Sequence, residues 1–166
     1  MKIAIISDTH DNVANFKKAV DWAGKNNISL ILHAGDIGSP ESMKESLADF
    51  SGQFFGVLGN MDIDYKILIE EYNKISGVKV NEDVLETQIE DKKIAITHYP
   101  EKARDLAESG AYDMVINGHT HKPWEEKIGL CKIINPGELA GQMYKPTFAV
   151  YDTDKDNLEL KILEKI

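Results

Sequence analysis

Lys2-Ile3-Ala4-Ile5-Ile6-Ser7-Asp8-Thr9-His10-Asp11-Asn12 lies at the start of the chain and decides its architecture. The run Lys2–Ile6 is continuously apolar after its lysine and rich in β-branched residues, which predicts a strand buried on both faces. It passes straight into a polar segment, and the periodicity then changes. Val13, Phe16, Val20 and Ala23 recur at helical spacing, with Asn12 placed to cap the helix and Gly24 near its end. Strand, polar turn and amphipathic helix make the first part of a βαβ unit, and the pattern repeats. Ile28–His33 predicts a second strand, Ser39-Pro40 a cap and first-turn pair, and Met43, Leu47 and Phe50 the inner face of the next helix. Phe54–Leu58 predicts a third strand, and residues 65–75 a weaker helix. Further on, Val84–Ile89 and Lys93–Thr97 flank a hairpin turn at Glu90-Asp91-Lys92. Glu101–Ser109 predicts a short helix ended by Gly110, and Met114–Asn117 another strand. The last fifty residues predict antiparallel strands at 124–129, 131–135, 147–152 and 158–163. A βαβ-like first part and a hairpin-like last part imply an α/β fold with mixed sheets.

The length of 166 residues suits a single domain spanning 1–166, large enough to bury its own core. Hydrophobic residues are 42% and charged residues 28%, which excludes a disordered chain, a collagen and a coiled coil. Nineteen basic against 28 acidic residues give a net charge of -9, so sequence-specific nucleic-acid binding is not expected unless bound cations reverse the local field. Cys131 is the one cysteine and has no intrachain partner. The apolar run before Ser7 is too short for a signal peptide, and no stretch approaches the ~20 apolar residues of a membrane helix, so a cytoplasmic location without membrane contact is expected.

Chemistry-bearing residues collect where strands end. The first strand runs into Asp8-Thr9-His10, the second into Gly35-Asp36, the third into Gly59-Asn60, the strand after 93 into His98, and the strand after 114 into Gly118-His119-Thr120-His121. Ligands of open α/β folds bind outside such carboxyl ends. Taken singly, each motif has an ordinary structural reading: Asp36 as a helix-entry residue, Gly59-Asn60 as a turn, His98 as a packed histidine. Together the carboxylates and imidazoles are the donor types of Mn, Fe and Zn sites, with almost no thiol to compete. Asp8 and His10 alternate, as do His119 and His121, so an extended backbone would point each pair the same way. Asp8, His10, Asp36, Asn60, His98, His119 and His121 are too many donors for one ion and suit two ions that share a carboxylate, the arrangement used for in-line displacement at phosphorus.

These motifs, in this order from residue 8 to residue 121, resemble the signature of the calcineurin-like metallophosphoesterases. Asn135-Pro136-Gly137 resembles the turn carried by their small, cap-less phosphodiesterase branch, to which the retromer scaffold subunit is related. The resemblance implies two mixed β-sheets packed as a sandwich flanked by helices. It implies that Asp8, His10, Asp36 and His121 hold one ion and that Asp36, Asn60, His98 and His119 hold a second. Asn60 and His98 count in addition as catalytic. The cofactors would be two divalent metal ions, Mn²⁺ first, with Ni²⁺, Fe²⁺ or Zn²⁺ as alternatives. The expected activity is hydrolysis of a small phosphodiester by a metal-bridging hydroxide. Two alternatives stay open: a phosphomonoesterase or protein phosphatase of the same fold, and a non-catalytic metal-binding scaffold. A homodimer is compatible with the sequence.

Four departures from the family pattern stand out. Met61 occupies the place of a proton-donating histidine, and Asp62 follows it, where it could position solvent or a ligating histidine. Tyr99-Pro100 follows His98, and Glu138 follows the Asn-Pro-Gly turn where a small polar residue is expected. His33 matches no ligand motif and reads as a core or supporting histidine. Cys131 reads as a packed strand residue. No Arg or Lys lies within the motifs, the nearest being Lys102 and Arg104, which favours a diester over a doubly charged monoester.

Overall fold

Alternate side chains of the first strand serve different cores. In the computed structural model, which describes residues 1–166, β1 (Lys2–Ile6) sends Ile3 and Ile5 to one face and Ala4 and Ile6 to the other. All four are buried, as a two-faced strand requires. The next strands follow the same rule: in β2 (Leu30–His33), Leu30 and Leu32 join Ile3 and Ile5, while Ile31 joins Ala4 and Ile6.

The first sheet has the order β11-β10-β1-β2-β3-β4. Strands β1, β2, β3 (Gln53–Val57) and β4 (Val78–Asn81) are parallel, and β10 (Thr147–Asp152) and β11 (Asn157–Ile162) add antiparallel strands. The second sheet has the order β5-β6-β7-β9-β8. Here β6 (Lys92–Ile96), β7 (Met114–Ile116) and β9 (Cys131–Asn135) are parallel, with β5 (Leu85–Ile89) and β8 (Trp124–Ile128) antiparallel at the two edges. Both sheets are therefore mixed, as expected from the sequence.

Three cores hold the layers together. Ile3, Ile5, Leu32, Ile94, Ile96, Ile116 and Ile134 fill the space between the sheets. Helices α1 (Val13–Lys25), α2 (Pro40–Leu47) and α3 (Tyr65–Asn73) belong to the outer face of the first sheet, where Phe16, Val20, Met43 and Tyr72 meet Ile31, Phe54 and Val80. Helix α4 (Pro100–Glu108) covers the second sheet through Ala103 and Ala107 against Ala95, Val115, Cys131 and Ile133. Cys131 is thus a packed strand residue, and burial raises its thiol pKa.

The caps read from the sequence form. Asn12 Oδ1 accepts from the Asn15 amide at 3.1 Å, and Ser39 Oγ accepts from the Ser42 amide at 3.2 Å ahead of Pro40 at the first turn. Strand β4 is absent from the sequence reading. It is four residues long, sits at a sheet edge and has only Val78 and Val80 as apolar residues, too few to stand out between α3 and the hairpin.

Candidate metal centre

Backbone hydrogen bonds join the loop after β1 to the loop after β2, and the loop after β7 to the loop after β6. The Asp8 amide donates to the Gly35 carbonyl at 3.0 Å, Thr9 and His10 donate to the Asp36 carbonyl, and the Gly118 amide donates to the His98 carbonyl at 3.1 Å. The backbone is not extended there, which corrects the reasoning from alternation. Asp8, His10, Asp36, His119 and His121 all have positive φ, between 44° and 71°. Tight left-handed turns, rather than a shared strand face, aim these side chains inward. Two glycines permit the close approach: a Cβ on Gly59 would overlap Asp36, and one on Gly118 would overlap Ser7 and Asp8.

All seven predicted residues converge, in two overlapping groups. In the first, His121 Nε2 is 3.3 Å from Asp8 Oδ1 and 3.3 Å from His10 Nε2, and His10 Nε2 is 3.7 Å from Asp36 Oδ2. In the second, Asn60 Oδ1 is 3.0 Å from His98 Nε2 and 2.9 Å from His119 Nδ1, and His98 Nε2 is 3.5 Å from Asp36 Oδ2. Asp36 belongs to both. Asp8, Asp36 and His98 form the buried floor, while Asn60 and His119 are exposed at the rim.

Two of the imidazoles hold their protons away from the cluster. His98 Nδ1 donates to the Ala34 carbonyl at 2.8 Å, so its Nε2 carries a lone pair. His121 Nδ1 donates to Glu138 Oε2 at 3.1 Å, which leaves its Nε2 bare as well. The bare Nε2 atoms of His98 and His121 therefore face carboxylate and amide oxygens, an arrangement that calls for a cation. Donors ~2.0–2.2 Å from a tetrahedral ion lie about 3.4 Å apart, and the spacings above fall around that value. The residues present fit divalent metal ions.

Electrostatics agree with a cluster built for positive charge. Burial pushes the Asp8 carboxyl up to about 7, against the Ser7 hydroxyl bond at 2.6 Å and the His119 amide, which favour its ionised form. Burial also lowers the pKa values of His10 and His98, partly offset by Asp36, and so favours their neutral, metal-binding forms.

Supporting residues account for several departures from the family pattern. Glu138 is fully buried; besides His121 it accepts from the amides of Gln142, Met143 and Tyr144, and these hydrogen bonds lower its pKa against the effect of burial. It fixes the ring of His121 as carboxylates commonly fix metal-binding histidines. The sequence signal was the position itself, a carboxylate in place of a small residue. Asp62, in contrast, touches no ligand histidine. Its carboxylate accepts from the Ile37, Gly38 and Gly59 amides at 3.2, 3.0 and 2.8 Å and ties two site loops together. Asn135 does the same for the 118–120 turn, donating to the Gly118 carbonyl at 2.8 Å and to Thr120 Oγ1 at 3.0 Å. Tyr99 leans its ring over His98 and His119, with centroids 5.2 and 5.3 Å away. Met61 offers the site only its amide, which donates to Asp36 Oδ1 at 2.8 Å.

His33 lies outside the cluster, on the α1 side of β2 among Phe16 and Phe54. Its Nδ1 accepts from the Gly35 amide, so Nε2 carries the proton and donates to Thr9 Oγ1, which in turn donates to the Ile37 carbonyl. Burial, with smaller contributions from His98 and His10, pushes its pKa down to about 3. An unfolded histidine takes up a proton near pH 6.5, while folded His33 does not until about pH 3, so its contribution is present above pH 6.5 and is lost as pH falls between those values. In chelator, the stability of the wild type relative to His33→Gln should fall by about 1.4 kcal/mol per pH unit between pH 6 and 4. Urea unfolding at stepped pH checks this, and a pH-independent difference would refute it.

Buried carboxylates and imidazoles gathered at strand ends between two mixed sheets are the layout of a metallophosphoesterase. The chain belongs to the calcineurin-like phosphoesterase superfamily, whose domain model matches residues 1–156. A phosphodiesterase of Methanocaldococcus jannaschii is 34% identical over 99% of this chain and 100% of its own length. A solved archaeal phosphodiesterase superposes with a TM-score of 0.88 at 32% identity, covering 98% of this chain and 99% of that one. Vacuolar protein sorting 29 of Cryptosporidium parvum shares the fold, with a TM-score of 0.68 at 18% identity over 96% of this chain and 95% of its own. Membership of the family implies divalent metal ions. No helix is long and apolar enough to cross a membrane.

Proposed function

We propose that the chain is a phosphodiesterase that works as one domain over residues 1–166, with two divalent ions held by Asp8, His10, Asp36 and His121 on one side and by Asp36, Asn60, His98 and His119 on the other. The observation that carries this reading is the convergence of imidazole, carboxylate and amide donors in two groups, with Asp36 common to both. The strong likeness to the archaeal phosphodiesterases along the whole chain supports it. Bound there, the ions would supply a bridging hydroxide formed near neutral pH and would neutralise charge on the phosphoryl oxygens during in-line attack.

The chain's own residues do the rest. Ser7 and the His119 amide hold Asp8, Glu138 holds His121, and the Ala34 carbonyl holds His98, so the donors are oriented before substrate arrives. Asn60 at the rim and His98 on the floor beneath it, 3.0 Å apart, would face the bound phosphate. Two cations after Pro100 are engaged elsewhere: Lys102 pairs with Asp83 at 2.9 Å and Arg104 with Glu126 at 2.8 Å. Neither is left to balance the second charge of a monoester, which favours a diester. The scaffold alternative would be expected to lose ligands, and all seven are present.

Purified protein should contain metal, lose activity toward an activated diester on chelation, and regain it with Mn²⁺, while a matched monoester reacts more slowly. Metal analysis and paired kinetics test this, and absence of diester hydrolysis with Mn²⁺ present would refute it. Affinity should also depend on pH. In the metal-free protein the Asp8 carboxyl holds its proton up to about pH 7, so the ion must displace it. Mn²⁺ affinity measured by calorimetry should weaken roughly tenfold or more per unit below pH 7 and flatten above it.

A further inference from the structure

A cavity of about 740 Å³ opens between α4 and β8, bounded in part by Pro100, Arg104, Thr120, Lys122, Trp124 and Tyr144. Register fixes which way Trp124 points. It pairs with Asn135 as Glu126 pairs with Ile133, and directly paired residues share a sheet face. Ile133 packs toward α4, and Arg104 of α4 meets Glu126, so Trp124 stands on that same face. Its side chain is 56% exposed, although it lies in a strand and no core cluster contains it.

Three parts of the cavity wall are attached to the metal centre. Thr120 lies between His119 and His121, its Cα about 3.8 Å from each of theirs. Pro100 follows Tyr99, whose ring leans over His98 and His119. The Tyr144 amide donates to Glu138, the carboxylate that holds His121. A group attached to a phosphate at the ions could therefore enter this space.

The charges decide what that group is. Arg104 and Lys122 face Glu101, Asp105 and Glu126, and Arg104 is already paired with Glu126. The wall carries one more negative than positive charge, which disfavours a second phosphate. Trp124, Tyr144, Pro100 and Ile133 offer flat and apolar surface, and Lys122 Nζ stands 6.0 Å from the Trp124 ring centroid. We infer that this cavity binds the retained arm of the diester, and that the arm carries an uncharged planar ring, such as a nucleoside base, stacked on Trp124. The inference rests on the phosphodiesterase reading and specifies its substrate class.

The test keeps the leaving group constant and varies the retained arm. Thymidine 5′-(4-nitrophenyl) phosphate and methyl 4-nitrophenyl phosphate both release 4-nitrophenolate. The wild type with Mn²⁺ should prefer the thymidine ester, and Trp124→Ala should lower the ratio of kcat/KM for the two esters by roughly tenfold, chiefly through KM, given what stacking on an aromatic side chain contributes per base. Trp124→Phe should restore most of the ratio. Phenyl 4-nitrophenyl phosphate separates a general aryl preference from a nucleoside preference: equal preference for the phenyl and thymidine arms assigns the cavity to planar rings at large and still supports stacking. An unchanged ratio in Trp124→Ala, or an equal loss on both esters, overturns the inference and leaves the phosphodiesterase reading standing. A wild type that hydrolyses none of the three overturns both.

Discussion

Asp36→Asn should reduce metal content at both halves of the centre and lower diesterase activity by more than ~10²-fold. Loss of a residue that merely orients a ligand typically costs 10–100-fold, and Asp36 lies in both donor groups. The substitution is mild for the fold. Asparagine tolerates the left-handed backbone at this position, and its side-chain oxygen can still accept the Met61 amide. The charge is what disappears. Asn60→Ala, by comparison, removes a neutral donor from one group and should weaken one ion while sparing the other. Elemental analysis of both variants beside steady-state kinetics makes the comparison, and an Asp36→Asn protein that retains two ions would show that the carboxylate is not shared.

The second large effect concerns the leaving group. Met61 stands where many relatives place a proton-donating histidine, and its side chain is 58% exposed beside the site. Methionine gives no proton, so the departing oxygen must leave as an anion or take a proton from water. General acid catalysis is worth about 10²–10⁴-fold, and that gain should be missing for alkyl leaving groups while activated aryl esters lose little. Across one diester series the rate should therefore depend steeply on leaving-group pKa. Met61→His should flatten the slope by accelerating the poor leaving groups. His33 cannot be the missing acid, since it is buried on the α1 side and both ring nitrogens are hydrogen-bonded. Tyr99, whose ring leans over His98 and His119, is one acid beside the centre, and burial raises its pKa further. A shallow slope in the wild type that steepens in Tyr99→Phe would assign the proton to Tyr99 and remove the significance of Met61.

The parallel strands were legible because strands buried on both faces read as unbroken apolar runs, and β1 and β2 are such runs. The donor residues were legible because each follows a strand directly. What was not legible depends on contacts distant in sequence. Glu138 looked like an oddity after a turn, and only the fold brings its carboxylate to His121. Asp62 looked like a candidate partner for a histidine because it follows the Asn60 motif, yet three backbone amides claim it. Alternation of Asp8 with His10 suggested a shared strand face, and the convergence is real although its cause is a turn. Strand β4 escaped because an edge strand that buries so little leaves a faint pattern.

The left-handed turns under five of the seven donors have a cost that evolution could have avoided. Side chains with a Cβ are disfavoured in that backbone region, and such positions commonly cost 1–3 kcal/mol each, less for Asp. Glycine at His10, His119 or His121 would relax the chain where imidazole now keeps it tense. The metal-free fold is therefore less stable than the same scaffold could be, and a lineage that gave up hydrolysis would gain thermal tolerance by discarding these side chains. Ion binding returns the missing stability by mass action, so the melting temperature of the active enzyme should follow the supply of metal.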